Sequence, residues 1–217
     1  MMSKVKKIVD LTHPVRTGMQ IYPGDPEPKI ERFLAHENDY CHVDRFNLGS
    51  HTGTHIDAPY HFIPCGLKIN ELDVSRFVGK GVIVDVTSKG IDGFITSSDL
   101  RAYRHLIMEG DFVLFYTGWD KYFGLEKYIS HPYLSPDCAE VLMSMGVSLV
   151  GVDFLNVDPT KQEIFPVHDI LLSKGILIVE NLTNLGAIGS DTALFSFLPL
   201  RVSSDGSPVR AVAMVLE

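Results

Sequence analysis

The run Ser50-His51-Thr52-Gly53-Thr54-His55-Ile56-Asp57-Ala58-Pro59-Tyr60-His61 constrains this chain more than any other segment. Its four potential ligands, His51, His55, Asp57 and His61, all stand at odd positions. In extended backbone, alternate side chains point to one side, so three imidazoles and a carboxylate can converge there. A helix also places His51 and His55 on one face, but Gly53, the two threonines, Ile56 and Pro59 all disfavour helix. The segment therefore reads as the end of a strand that runs into a loop. Imidazole and carboxylate are the donors a borderline divalent ion such as zinc prefers, and a catalytic site leaves one position open. A single histidine is usually a packed or surface residue, and this chain has 9. Four candidate ligands at this spacing point to a metal or catalytic site. Gly53 permits positive φ or close backbone approach, and Pro59 fixes φ so as to aim His61 away from the residues before it.

A chain of 217 residues suits one domain, 1–217, with a substantial core. With 45% hydrophobic and 21% charged residues, the composition is that of a soluble globular protein. The formal charge of −8 and the absence of a lysine and arginine run speak against nucleic acid as a partner. The longest apolar stretches, such as Gly175–Val179 and Ser148–Val152, are too short to span a bilayer. The N-terminal lysines meet Asp10 before any signal-length apolar core develops. Cys41, Cys65 and Cys138 are odd in number and widely spaced, which suggests reduced thiols and a cytoplasmic protein. Cys65, four residues after His61, is expected to be a packed thiol.

No linker or repeat divides the chain. Tyr22–Pro28 reads as a surface loop. Val43–Ile56 looks like added β structure. Further on, strands are expected at Val82–Val86, Asp111–Tyr116, Ser148–Asp153, Ile176–Glu180 and Val209–Leu216. Helices are expected from Ser97 to about Leu106, from Ser135-Pro136 to a stop at Gly146, and around His168–Lys174. This alternation predicts an α/β domain with a mixed sheet, not purely doubly wound. Catalytic groups in such sheets collect at strand ends. Glu180 ends an apolar strand and is either a ligand or a solvated, salt-bridged strand end. His168 by itself reads more readily as a packed histidine.

With these residues in view, the chain resembles the cyclase family, whose best-understood members are the bacterial kynurenine formamidases. The resemblance rests on His51-Thr-Gly-Thr-His55-Ile-Asp57-Ala-Pro59-Tyr-His61-Phe62. It extends to Tyr22-Pro-Gly-Asp-Pro, Gly151-Val-Asp153, Val157-Asp-Pro159 and Glu180-Asn-Leu. It implies a single domain of swivelling β/β/α type, assembled as a homodimer or larger homo-oligomer. By the same resemblance, His51 and His55 match ligands of a first metal. Asp57 matches a carboxylate bridging two metals, and His168 and Glu180 match ligands of the second. His61 matches the general acid/base. Tyr22 stands where the formamidases often carry a substrate-contacting tryptophan, and Phe62 flanks the motif as a second aromatic contact. The cofactor implied is a divalent metal, zinc in one or two ions per chain, with manganese an alternative in relatives that open cyclic amides.

Hydrolysing an amide at neutral pH needs a nucleophile and a proton for the departing nitrogen. A coordinated ion acidifies water, and an imidazole, whose ordinary pKa is about 6.5, can move protons both ways near neutrality. Such a histidine must not be tightly bound to metal, which separates His61 from His51 and His55. Asp153 and Asp158 are candidates for orienting the ligand imidazoles. The function expected is hydrolysis of a small aryl amide, N-formylkynurenine, to kynurenine and formate. The rivals are a hydrolase that opens a cyclic amide such as isatin, and a metal-binding module without turnover.

Overall fold

The computed structural model describes residues 4–217. In chain order its strands and helices are β1 (Val5–Asp10), β2 (Lys29–Leu34), β3 (Val43–Asn47), β4 (His55–Asp57), β5 (Val78–Asp85), β6 (Phe94–Ile95), β7 (Phe112–Tyr116), β8 (Tyr133–Leu134), α1 (Pro136–Ser144), β9 (Leu149–Val152), α2 (Pro166–Leu172), β10 (Leu177–Glu180), β11 (Thr192–Ser196), β12 (Gly206–Pro208) and β13 (Val212–Leu216). Among the described residues, nine strands form one mixed sheet in the order β1-β13-β11-β5-β7-β9-β10-β4-β12. The run β5-β7-β9-β10 is parallel, and antiparallel strands flank it on both sides.

The parallel strands are buried on both faces, as parallel strands require. Val82, Val84, Val113, Phe115, Val150, Val152 and Ile178 pack into one core with residues of α1 and α2. The intervening Ile83, Phe112, Leu114, Leu149, Leu177 and Val179 pack into a second core on the other face. By that alternation Glu180 shares the face of Ile178, the side on which α2 lies. β4 pairs antiparallel with β10, with His55 opposite Glu180 and Asp57 opposite Ile178. Residues directly opposite in a ladder point to the same face. His55, Asp57 and Glu180 are thereby delivered to one side of the sheet.

Most expected elements form, with shifted ends. Strand β5 starts at Val78, four residues before the expected Val82, because Gly79 and Gly81 do not break it. A Cβ at Gly79 would meet the Phe112 ring at 2.9 Å, and one at Gly81 would meet Phe195 at 2.7 Å. The glycines make room for those rings. Helix α2 opens at Pro166, whose fixed φ suits a first turn, and ends at Leu172, two residues before Lys174. Strand β13 begins at Val212, and Val209 forms only an isolated bridge with Pro199.

The helix expected from Ser97 to Leu106 is a correction. Its cap is Thr96, and one 3-10 turn, Ser97–Leu100, is followed by further turns closed by i→i+3 bonds. Only Leu100 is buried between Ser97 and Leu106, so no continuous apolar face supports an α-helix there.

Candidate metal centre and active site

The odd-position argument holds over a shorter span than expected. Only His55 and Asp57 lie in strand; His51 sits in the turn that precedes β4, and His61 closes a 3-10 turn, Pro59–His61, that follows it. The segment runs from a turn through a three-residue strand and out into the Pro59–His61 turn, so the expected strand exit is present and a turn that carries His51 precedes it. Gly53 takes φ +65°, the left-handed conformation foreseen for it. This sharp turn lets the Gly53 carbonyl accept a hydrogen bond of 2.8 Å from His55 Nδ1. The other nitrogen, Nε2, is left 3.3 Å from Asp57 Oδ1 and 3.6 Å from Glu180 Oε2.

His51 reaches the same centre from the turn. Its Nδ1 lies 2.8 Å from Asp57 Oδ1, and its Nε2 lies 2.9 Å from Asp205 Oδ2. The ring fits because residue 206 is glycine: a Cβ there would meet His51 Cε1 at 2.8 Å. His61 Nδ1 bonds the same Asp205 oxygen at 3.2 Å. From α2, His168 brings Nε2 to 3.6 Å from Glu180 Oε1 and 3.7 Å from Asp57 Oδ2.

Asp158 orients that ring. Its carboxylate bonds His168 Nδ1 at 2.8 Å and accepts from the backbone N–H of Val167 and of His168 at 3.0 Å each. A carboxylate behind a ligand imidazole fixes which nitrogen faces the centre. Asp153 does not act this way. It accepts from the backbone N–H of Thr117 and Gly118 and from the Thr117 hydroxyl, and so ties the loop after β7 to the end of β9. Its role is loop anchoring, as is common for a buried aspartate that can accept several backbone N–H groups. Cys65 also departs from expectation. It is exposed, not packed, because it sits in a turn whose Gly66 presses on the Pro59–Tyr60 backbone, where a Cβ would come to 2.6 Å.

The electrostatics are those of a cation site. Burial disfavours charge on His51, yet the carboxylates of Asp57 and Asp205 outweigh it and hold the imidazole up at about 10. Burial likewise opposes charge on His168, and Asp158, Asp57 and Glu180 hold it at about 10. Burial and the Asp57 charge push Glu180 up to about 7. Asp57 is driven well below the usual range by His51 and His55 despite complete burial. One observation tests the centre directly. Asp57 Oδ2 is buried and accepts no hydrogen bond, while its other oxygen is engaged. An orphaned buried carboxylate oxygen costs free energy unless something positive meets it. Two groups of donor atoms share this residue, His51-Asp57-His61 and His55-Asp57-Glu180, with the atoms of each group within 4.8 Å of one another. Nitrogen and carboxylate donors at such spacing suit zinc or manganese. In these groups His51 stands with Asp57 and His61, and His55 with Asp57 and Glu180.

Beside the donors opens a cavity of about 160 Å³, lined among others by Gln20, Tyr22, Asp25, Phe62, Asn156 and Phe165. Both expected aromatic contacts, Tyr22 and Phe62, are on its wall. The Phe62 ring also stacks on His168, with centroids 4.6 Å apart. Asp205 and Asp25 escaped the sequence reading. Asp205 lies in Ser-Ser-Asp-Gly-Ser, which looks like an ordinary turn. Asp25 lies in a Pro-Gly loop with the same appearance.

A mixed-sheet α/β fold with a histidine and carboxylate centre at the ends of β4 and β10 is that of a metal-capable hydrolase. The family described as "Putative cyclase" matches residues 9–159. A kynurenine formamidase of Bacillus mycoides is 32% identical over 213 residues, covering 96% of this chain and 98% of that protein. Among solved structures, an isatin hydrolase bound to the product analogue thioisatinate superposes with a TM-score of 0.89 at 25% identity, over 97% of this chain and 93% of that one. A predicted metal-dependent hydrolase from Bacillus stearothermophilus gives 0.80 at 31% identity, over 96% and 98%. The chain belongs to the cyclase family, and it is a hydrolase.

Proposed function

We propose that residues 1–217 act as one metal-dependent hydrolase domain that cleaves the formyl amide of an aryl amine, N-formylkynurenine, to the free amine and formate. The observation that carries the reading is the Asp57 carboxylate, whose Oδ1 lies within 3.3 Å of His51 Nδ1 and His55 Nε2, whose orphaned Oδ2 lies 3.7 Å from His168 Nε2, and which shares a donor group with Glu180. These five residues would hold one or two divalent ions, zinc or manganese. Such an ion supplies acidified water and a polarised carbonyl when bound.

The chain's own groups do the rest. His61 is held through Nδ1 by Asp205, which leaves Nε2 to take a proton from the attacking water and return it to the amide nitrogen. The C–N bond then breaks, and the nitrogen leaves as a neutral amine. Tyr22 and Phe62 offer aromatic surface to a planar ring, worth about 0.5–1.5 kcal/mol beyond area burial. That ranks aryl above alkyl formamides by roughly tenfold at most.

Opening of a cyclic amide is the second reading, supported by the likeness to the isatin hydrolase. The purified protein, supplied separately with zinc and manganese, should be assayed on N-formylkynurenine, formanilide and isatin. Turnover of the formamides with little on isatin is expected. Turnover of isatin alone overturns the formamidase reading, and full activity after exhaustive chelation overturns the metal.

Self-association belongs to the same reading. β2 and β3 form a separate two-stranded ribbon on which Phe33 and Phe46 are 58% and 66% exposed, and a ribbon of two strands gains stability from a partner. Light scattering should give at least a dimer. Three unpaired thiols suit the reducing cytoplasm.

A further inference from the structure

Thr54 sits between Gly53 and His55. Both neighbours line the cavity beside the centre, and Thr54 does not. It is buried, and its hydroxyl is engaged in both directions. Oγ1 accepts the backbone N–H of His13 at 2.9 Å and donates to the Asn181 carbonyl at 2.6 Å. His13 follows β1, and Asn181 follows Glu180 at the end of β10. One side chain thus joins three chain segments beside the candidate ligands His55 and Glu180. The β4–β10 ladder ends on the rung His55–Glu180. One residue further, Asn181 takes φ +56°, and its N–H turns to the Phe154 carbonyl at 3.0 Å. The Thr54 carbonyl accepts instead from the Val209 N–H, also at 3.0 Å. The link between Thr54 and Asn181 therefore runs through the hydroxyl. His13 and Asn181 are buried too, so loss of that hydroxyl would leave a donor and an acceptor unsatisfied out of reach of solvent.

We propose that Thr54 is a positioning residue, whose hydroxyl fixes the exit of β10 against the entry of β4 and so sets the separation of the His55 and Glu180 donors that an ion must span. Strand register decides which face the two side chains share. The hydroxyl decides how the two strand ends are held once the ladder has stopped. Thr54 touches neither a donor atom nor the cavity, so it acts through the backbone on either side of it. Serine can do the same work, since the hydroxyl makes both bonds. Valine, close to threonine in shape, cannot. The inference rests on the metal-dependent reading of the site.

The probe is cobalt(II), titrated into the metal-stripped full-length protein, because its visible absorption reports the arrangement of its donors. Thr54→Val should bind cobalt about 10–100-fold more weakly, the range for lost support behind ligands, and with a changed visible band. Thr54→Ser should stay within about threefold of wild type and keep the band. Ser135→Ala is the control for a buried hydroxyl as such. Ser135 Oγ donates to the Ile95 carbonyl at 2.9 Å at the start of α1. Its loss should lower the thermal midpoint of the metal-free protein and leave cobalt affinity and band as in wild type. Should Thr54→Val fail to fold, Thr54→Cys takes its place, because a thiol is a weak donor and acceptor. Its loss of affinity should be smaller and in the same direction. A wild-type affinity and band in the folded Val or Cys variant overturns the inference. So does an equal loss in Thr54→Ser, or the same loss in Ser135→Ala. Wild type that takes up no cobalt overturns the metal reading itself, and the inference with it.

Discussion

His61 and Asp205 stand 144 positions apart in the chain and share a hydrogen bond of 3.2 Å. The same carboxylate oxygen holds His51 at 2.9 Å, so one side chain positions a ligand candidate and the proton carrier together. The two hydrogen bonds hold the Asp205 carboxyl well below the usual range, so it is an anion at any working pH. Asp205→Asn keeps the size and loses the charge. Turnover should fall about 10–100-fold, the usual effect of losing a partner behind a functional imidazole. Steady-state kinetics beside elemental analysis check it, and wild-type turnover with metal retained would remove Asp205 from the machinery.

Ligand and proton carrier should separate on substitution. His61→Ala should keep its metal and lose about 10²–10⁴-fold in turnover, the contribution of a positioned acid/base. His55→Ala should lose metal and activity together, because His55 Nε2 lies between Asp57 and Glu180. His61 also belongs to one donor group, so loss of metal from His61→Ala would make it a ligand instead.

Metal uptake should release protons. The metal-free centre holds His51 and His168 imidazoles up at about 10, and a ligand imidazole must be neutral. Their raised values keep the protons on at every pH below about 10, so an arriving ion must displace them. Affinity should therefore fall steadily as pH drops anywhere below about 10, and measurements at pH 8, 7 and 6 sample that fall. Calorimetry in buffers of different ionisation enthalpy should show at least one proton released per ion. Binding heats that do not depend on buffer would contradict this.

Acid should weaken the fold through a histidine outside the centre. His131 is buried, and its Nδ1 donates to the Pro132 carbonyl while its Nε2 lies 2.7 Å from the Thr160 hydroxyl. Burial pushes it down to about 4 from an ordinary 6.5. Between those values the unfolded chain binds a proton that the folded chain refuses, so stability is full above pH 6.5 and is lost as pH falls toward 4. The loss reaches up to about 3 kcal/mol at 1.36 kcal/mol per pKa unit. Urea midpoints of the metal-free protein at pH 7, 5.5 and 4.5 measure it. His131→Gln should start less stable at pH 7 and lose less on acidification. An equal acid loss in both proteins would place the effect elsewhere.

Gly206→Ala should damage the centre more than the fold. The added Cβ would lie 2.8 Å from His51 Cε1 and 3.1 Å from the Ile56 carbonyl, so the His51 ring must move. Metal affinity should drop about tenfold or more, in the range for disturbed ligand support, while far-ultraviolet circular dichroism stays that of wild type. Unchanged metal affinity would show that the ring has room.

The Ser50–His61 motif announced its chemistry in linear order because ligand types, a turn glycine and a proline are local facts. Periodicity likewise marked Asp111–Tyr116, Ser148–Asp153 and Ile176–Glu180 as buried strands, since a strand buried on both faces must be apolar throughout. It failed at Ser97–Leu106, where good capping residues precede a segment with too little apolar surface to hold an α-helix. It also started the strand at Val82 and left out the stretch with Gly79 and Gly81, whose purpose is the space taken by Phe112 and Phe195 from distant strands.

The convergence of the centre is of another kind. His55 meets Glu180 because β4 pairs with β10 in one register, and a slip of one residue would turn both to the opposite face. His51 has its place because β12 brings Gly206 opposite Asp57. Asp205 and Asp25 read as turn residues in the sequence, and Asp153 and Asp158 read alike although only Asp158 meets a ligand imidazole, because nothing local distinguishes a carboxylate that caps a loop from one aimed at an imidazole. Residue types and their short-range conformations are encoded over a few neighbours. Which carboxylate faces which ring depends on strand pairings that span more than a hundred residues, and those are settled by the packing of the whole sheet.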